Sequence, residues 1–287
     1  MAKKDSLKQQ KFMSFMFRGK EIFKPLNTGH IDERVSCIRE YVANIYFYIK
    51  DGYTIMIDAG YNYDRLAEKM RWLDIRSESI NEIIVTHQDT DHVGAIEVDS
   101  QGLFKTAIIY VGRVENEYLE GRVRRKVYWG LYKLPQVHIE NDKTLIEDGE
   151  IFYIHDIKIE SFLVPGHTWG HLVYLIDDAY LFTGDTIWFG ADGGYAFLNT
   201  LAEDRKLQSV SLKRLEEKLK KRNLSLKIIT GHTGWTDDFE FAFRHVDEIC
   251  NALRRKPKVQ DPKAPYDGFD ESGDTEEKAR TVILEKC

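Results

Sequence analysis

Thr86-His87-Gln88-Asp89-Thr90-Asp91-His92-Val93-Gly94 places two imidazoles and two carboxylates within six residues, directly after the apolar run Ile83-Ile84-Val85. Imidazole nitrogens and carboxylate oxygens are standard protein ligands of zinc. A loop can wrap consecutive side chains around one or two ions, whereas alternate residues of a straight strand stay several ångströms apart. Alone, the segment also admits a reading as a polar loop with solvated acids, the lesser of the two. Three later segments repeat the theme. His167 follows Val164-Pro165-Gly166, Asp185 follows Phe182-Thr183-Gly184, and His232 follows Ile229-Thr230-Gly231. Each sets a ligand-type residue where a strand gives way to a loop, beside a glycine that lets the backbone bend sharply. Strand ends on one edge of a layered sheet converge, so residues distant in sequence meet there.

The elements that must position these residues are legible as patterns. Val42 to Ile49 and Tyr53 to Ile57 are rich in β-branched and aromatic residues and flank Lys50-Asp51-Gly52, a hairpin signal. Asp64 to Leu73 carries apolar residues at helical spacing behind an Asp cap. Short buried strands are expected at Ile83 to Val85 and Ala107 to Val111, and a second hairpin at Ile151 to Ile154 and Ile157 to Val164. His171 to Ile176 and Tyr180 to Phe182 extend the strand-rich stretch. Helices are expected at Ser209 to Lys221 and Asp238 to Arg254, separated by a strand from Leu226 to Thr230. Sheets covered by outer helices bury such an α/β pattern. Residues 1–260 are read as one domain. Residues 261–287, with eight acidic and four basic residues, are read as an acidic extension that packs loosely or drapes over the body, its Thr281 to Leu284 able to dock.

The ordered set of ligand-type residues resembles the metallo-β-lactamase superfamily of metal-dependent hydrolases, over about Asn44 to His232. Asp58, in Ile55-Met56-Ile57-Asp58-Ala59-Gly60, matches that family's first motif. His87, Asp91 and His92 match three of the four ligands of its H-x-H-x-D-H motif, and His167, Asp185 and His232 match the later positions. The departure is Asp89, which stands where the family has its second histidine. The resemblance implies a four-layer αββα sandwich and two divalent ions. His87, Asp89 and His167 would hold the first and Asp91, His92 and His232 the second, with Asp185 bridging and Asp58 steadying an imidazole from behind. Zinc is the first expectation. A carboxylate at position 89 makes the first site harder and favours iron or manganese more than the family norm. Were Asp89 to point away, one well-held ion would remain; two are expected. In this reading His171 lies outside the metal shell.

The chemistry implied is hydrolysis by a metal-bridging hydroxide, with Asp91 orienting it and Asp185 fixing the metal separation as the catalytic carboxylates. Trp169, Trp188, Phe189, Tyr195 and Trp235 adjoin ligand positions and are read either as core or as an apolar pocket wall. A lactone or carboxylic ester with an apolar arm is the expected substrate. A thioester or a phosphodiester is the alternative, and a diiron protein reducing dioxygen or nitric oxide is the reading from another class, resting on Asp89.

Composition narrows the partners. The 287 residues are 43% hydrophobic and 31% charged, with a net charge of -6, which disfavours nucleic acid. The basic run Arg122-Val123-Arg124-Arg125-Lys126 does not change that expectation. Cys37, Cys250 and Cys287 form no C-x-x-C pair, so neither a disulfide scaffold nor a thiolate zinc site is supported. The basic amino terminus lacks the apolar stretch of a signal peptide and no window resembles a membrane span. The expectation is a cytoplasmic protein acting on a small molecule, without nucleic-acid or membrane partners, for which the resemblance leaves a homodimer open.

Overall fold

The periodicity of two along the central strands sorts their side chains into separate cores. In the strand Ala43–Lys50, Ile45 and Phe47 face one core while Tyr46 and Tyr48 face another. In Leu172–Ile176, Leu172, Tyr174 and Ile176 share that second core, and Val173 and Leu175 enter a third. The computed structural model describes residues 23–61, 63–97, 104–249 and 270–287.

Seven strands make the first sheet, in the order 29–30, 35–40, 43–50, 53–57, 82–85, 108–112 and 143–146. Its early strands run antiparallel, and the strands 53–57, 82–85, 108–112 and 143–146 pair in parallel. Six strands make the second sheet, in the order 151–154, 157–163, 172–176, 180–182, 227–229 and 235–236. The core between the sheets joins Tyr46, Tyr48, Ile55 and Ile84 of the first to Ile157, Ile159, Tyr174 and Phe182 of the second. Helix Tyr63–Trp72 seals the outer face of the first sheet with Leu66 and Met70. Helix Arg205–Lys220 seals the second with Leu212, Leu215 and Leu219, its N-terminus capped by Asp204, which accepts hydrogen bonds from Lys206 N and Leu207 N. The result is the expected αββα sandwich.

The expected helix from Asp238 to Arg254 is corrected. A helix spans only Phe239–Phe243, and His245–Ile249 is a strand parallel to Gly194–Ala196. Tertiary pairing with that neighbouring strand, which buries Val246 completely, overrides the helical reading. Positions 250–254 of that expected helix lie outside the described residues.

The described part of the C-terminal segment drapes over the body, and its packing is firm. Asp274 accepts hydrogen bonds from Thr28 N at 2.6 Å and Thr28 Oγ1 at 2.8 Å, and pairs with the buried Lys69 ammonium at 2.8 Å. Helix Glu276–Thr281 buries Ala279 in the first outer core. Ile283 bridges His30, Trp235 Nε1 donates to Leu284 O, and Cys287 N donates to Trp235 O. A buried ammonium that loses one carboxylate partner is destabilising. Asp274→Ala is therefore expected to cost about 2–4 kcal/mol, even though Glu271 remains 2.9 Å from Lys69. Urea unfolding of the two proteins measures the difference.

Candidate metal centre

Four loops leave the same edge of the sandwich and bring their ligand-type residues together. His87, Asp91 and His92 follow the strand Glu82–Val85, His167 follows Ile157–Leu163, Asp185 follows Tyr180–Phe182, and His232 follows Lys227–Ile229. His87, His167 and Asp185 form one group with all ligand atoms within 4.8 Å of one another, and Asp91, His92 and His232 form a second. Asp185 stands between the groups. Its Oδ2 is 3.0 Å from His232 Nε2, 3.6 Å from His167 Nε2 and 3.9 Å from His87 Nε2, and its Oδ1 is 3.2 Å from His92 Nε2. Two glycines permit this closeness. A Cβ on Gly231 would lie 2.6 Å from Asp185 Oδ1, and one on Gly184, whose φ is +49°, would lie 2.7 Å from Thr86 Oγ1.

The imidazoles are aimed from behind. Asp58, in the left-handed backbone region at φ 59°, accepts from Thr86 N at 2.8 Å and from His92 Nδ1 at 2.7 Å. His232 Nδ1 donates to Val42 O at 2.6 Å. Both rings thus present Nε2 to the centre, the orientation that partners behind a ligand histidine impose. His171 is not part of the cluster of ligands. Its Nε2 accepts from Asp185 N at 3.1 Å, its ring stacks on His87, and burial together with the neighbouring imidazoles keeps it neutral, well below the ordinary histidine range.

A divalent cation fits this donor set. His87 Nε2, His92 Nε2 and Asp185 Oδ1 are buried and make no hydrogen bond, which is costly for polar atoms that have no ligand to meet. The charge balance points the same way. Burial alone would lower His92 and His232, yet Asp185 and Asp91 raise both above the ordinary value, with Asp58 adding to the effect on His92. The cluster therefore draws positive charge, either as protons or as a metal ion.

Asp89 is the residue whose setting differs from the expectation. Its Oδ2 lies 3.2 Å from His167 Nε2 and 3.7 Å from His87 Nε2, at the edge of the first group. Both of its oxygens, however, are held by Arg125, whose Nε is 2.9 Å from Oδ1 and whose Nη2 is 3.1 Å from Oδ2. Gln88 Nε2 donates to Oδ1 at 2.6 Å. Burial would raise the Asp89 carboxyl, but the guanidinium overrides it and holds the group well below the usual carboxylate range. Arg125 is 2% exposed. Sequence reasoning missed it because one arginine within a surface-like run of four basic residues carries no sign of burial.

Glu115 was also missed. Fully buried, it accepts from Gln88 N at 2.8 Å and from Thr168 Oγ1 at 2.8 Å, and so ties the His87 loop to the His167 loop. Of the aromatic residues, Phe189 lies in the outer core of the second sheet and Trp235 in the core between the sheets. Trp188 is buried with Phe23, Phe197 and Leu198, Tyr195 is half-buried and stacks on His245, and Trp169 is exposed. The rings that meet the imidazoles are Phe197, 5.0 Å from His167 and 5.4 Å from His232, and Phe23, 4.9 Å from His232. Among the described residues no helix is long and apolar enough to cross a membrane.

A layered αββα body with histidine and aspartate ligands gathered at one edge defines a class of metal-binding proteins. The chain belongs to the metallo-beta-lactamase superfamily, whose family model matches residues 38–232. A probable polyketide biosynthesis zinc-dependent hydrolase of Bacillus velezensis, BaeB, is 29% identical over 150 residues, 52% of this chain and 56% of that protein. A hydroxyacylglutathione hydrolase of Pelagibacter ubique is 25% identical over 195 residues, 68% of each chain. The chain spans about half the length of several curated relatives that it matches. A B3 metallo-beta-lactamase with an active site glutamic acid superposes with a TM-score of 0.57 at 16% identity, covering 78% of this chain and 87% of that one. That likeness is one of fold.

Two outcomes follow from the residues behind the ligands. Asp58→Ala is expected to weaken zinc binding about 10–100-fold, read by competition with a chelator. Burial pushes the Glu115 carboxyl up to about 7, against the pull of His87 and of its two hydrogen bonds. A carboxyl raised in the folded state contributes stability that is complete below its ordinary value and is lost as pH rises through about 7. In metal-free protein, Glu115→Gln should match the wild type at pH 4.5 and exceed it in stability at pH 8, as followed by urea unfolding at each pH.

Proposed function

We propose that the protein is a metal-dependent hydrolase that cleaves an acyl ester-type bond, with a lactone, carboxylic ester or thioester as substrate. The observation that carries this reading is the grouping of His87, His167, Asp91, His92 and His232 around the buried carboxylate of Asp185. Asp91, His92, His232 and Asp185 would hold a divalent cation, with zinc the first choice, and His87 and His167 stand on the other side of Asp185. A cation in that place supplies Lewis acidity, lowering the pKa of a water it holds to about 7 and polarising an acyl or phosphoryl oxygen.

The chain's own residues supply the rest. Asp91 is the most exposed member of its group, with 29% of its side chain accessible and Oδ2 3.4 Å from His232 Nε2. That position supports a role in orienting a nucleophile and passing a proton to the leaving group. Asp185 holds the imidazoles in a fixed frame, and Phe23 and Phe197 exclude water from the flank of His167 and His232. That apolar flank favours a substrate with an apolar arm over a bare phosphodiester. The names of the hydroxyacylglutathione hydrolases among the relatives support an acyl substrate and bring the thioester beside the lactone. The dioxygen- or nitric-oxide-reducing alternative rests on Asp89 as an iron ligand, and the ion pair of Asp89 with Arg125 favours the hydrolytic reading over it.

The test is a panel of lactones, carboxylic esters, thioesters and phosphodiesters offered to zinc-loaded and metal-stripped protein. Acyl substrates should turn over only with metal, and Asp185→Asn should lower metal content and turnover together, the latter by at least about 100-fold. Undiminished turnover after stripping, or turnover of phosphodiesters alone, would show the reading to be wrong.

A further inference from the structure

We propose that Arg125 is a built-in cation that keeps the first of the two metal positions closed, so that the chain binds a single divalent ion, held by Asp91, His92, His232 and Asp185. The inference deepens the metal-dependent reading above and rests on it.

A metal in the first position would draw on His87, Asp185, the lone pair of His167 Nε2 and, where the family has an imidazole, a carboxylate oxygen of Asp89. The last two lie against one guanidinium. Arg125 Nη2 lies 3.2 Å from His167 Nε2, against the face of the ring that a metal would take, and 3.1 Å from Asp89 Oδ2. Arg125 Nε reaches the other Asp89 oxygen at 2.9 Å, which completes a two-pronged pair. The arginine is fixed from the far side as well. Nη2 donates to Leu201 O at 2.6 Å and Nη1 donates to Lys126 O at 3.1 Å. With these five contacts and almost no exposure, the side chain has no solvated alternative into which it could swing, and an arginine is not neutralised by losing a proton.

The charge distribution makes the two positions unequal. On the first side the Asp89 carboxylate is cancelled by Arg125, and an incoming ion would sit against a permanent positive charge. On the second side Asp91 is free of any such partner among the contacts described, and Asp58 adds its charge behind His92 at 2.7 Å. Asp185 is shared, yet its shortest contacts, 3.0 Å to His232 and 3.2 Å to His92, lie on the second side. The replacement of an imidazole by Asp89 is thus one half of a pair. The carboxylate at position 89 is present to receive Arg125, and the arginine takes the place of an ion.

The test is equilibrium dialysis of the full chain against zinc over a 100-fold range of free metal, with metal per chain read by mass spectrometry. The wild type should plateau at about one ion, and Arg125→Met, shown to be folded by circular dichroism, at about two. Arg125→Lys, which keeps the charge, should stay at about one. A plateau at two in the wild type, or at one in a folded Arg125→Met, overturns the proposal. No bound metal in the wild type instead overturns the metal-dependent reading beneath it. Manganese-loaded wild type gives a second readout that needs no variant. An isolated six-line resonance is expected, and the multiline spectrum of two coupled ions would refute a closed first position.

Discussion

The Asp185 carboxylate is the constraint on which the rest of the edge depends. It is 3% exposed and lies within 4 Å of four imidazoles carried by three loops. A charge so enclosed is tolerated only when opposite charge is brought to it, and the imidazoles and any cation among them supply that charge. Asp185 is consequently held far below the ordinary carboxylate range, burial being outweighed by His232 and His92. The glycines at 184 and 231 exist in this light because a side chain at either would collide with this arrangement.

The two sheets deliver the ligands and two buried acids lock them together. Asp58, at the end of the strand Tyr53–Ile57, grips Thr86 and His92 on the neighbouring loop. Glu115, at the start of the helix Arg113–Leu119, joins Gln88 of the first sheet's loop to Thr168 of the second sheet's loop. The rim is therefore cross-braced by carboxylates that never face the centre. Precision in such a site comes from these supports as much as from the ligands themselves.

Much of this was legible in the sequence because the signals were local. Hairpins at Ala43–Lys50 with Tyr53–Ile57 and at Ile151–Ile154 with Ile157–Leu163 follow from β-branched runs around short turns, and glycine beside each ligand marks the strand ends. The rest depends on distant packing. Whether Phe189 and Trp235 line a pocket or a core is decided by which layer lies over them, and the sequence around them is the same in either case. The strand His245–Ile249 exists because Gly194–Ala196 offers it an edge, some fifty residues away. Arg125 is the sharpest case. Nothing in Arg124-Arg125-Lys126 distinguishes the residue that turns inward from its exposed neighbours, and Asp89 shows its departure from the family pattern without showing its partner.

The tie between Trp235 and residues 284–287 couples the C-terminal segment to the metal edge. His232 sits three residues before Trp235, whose indole donates to Leu284 O and whose carbonyl accepts from Cys287 N, while Cys287 Sγ reaches Thr233 O at 3.0 Å. The His232 loop is thus fastened in part by residues 284–287, so a change that loosens that segment reaches the wall of the cage that His232 forms.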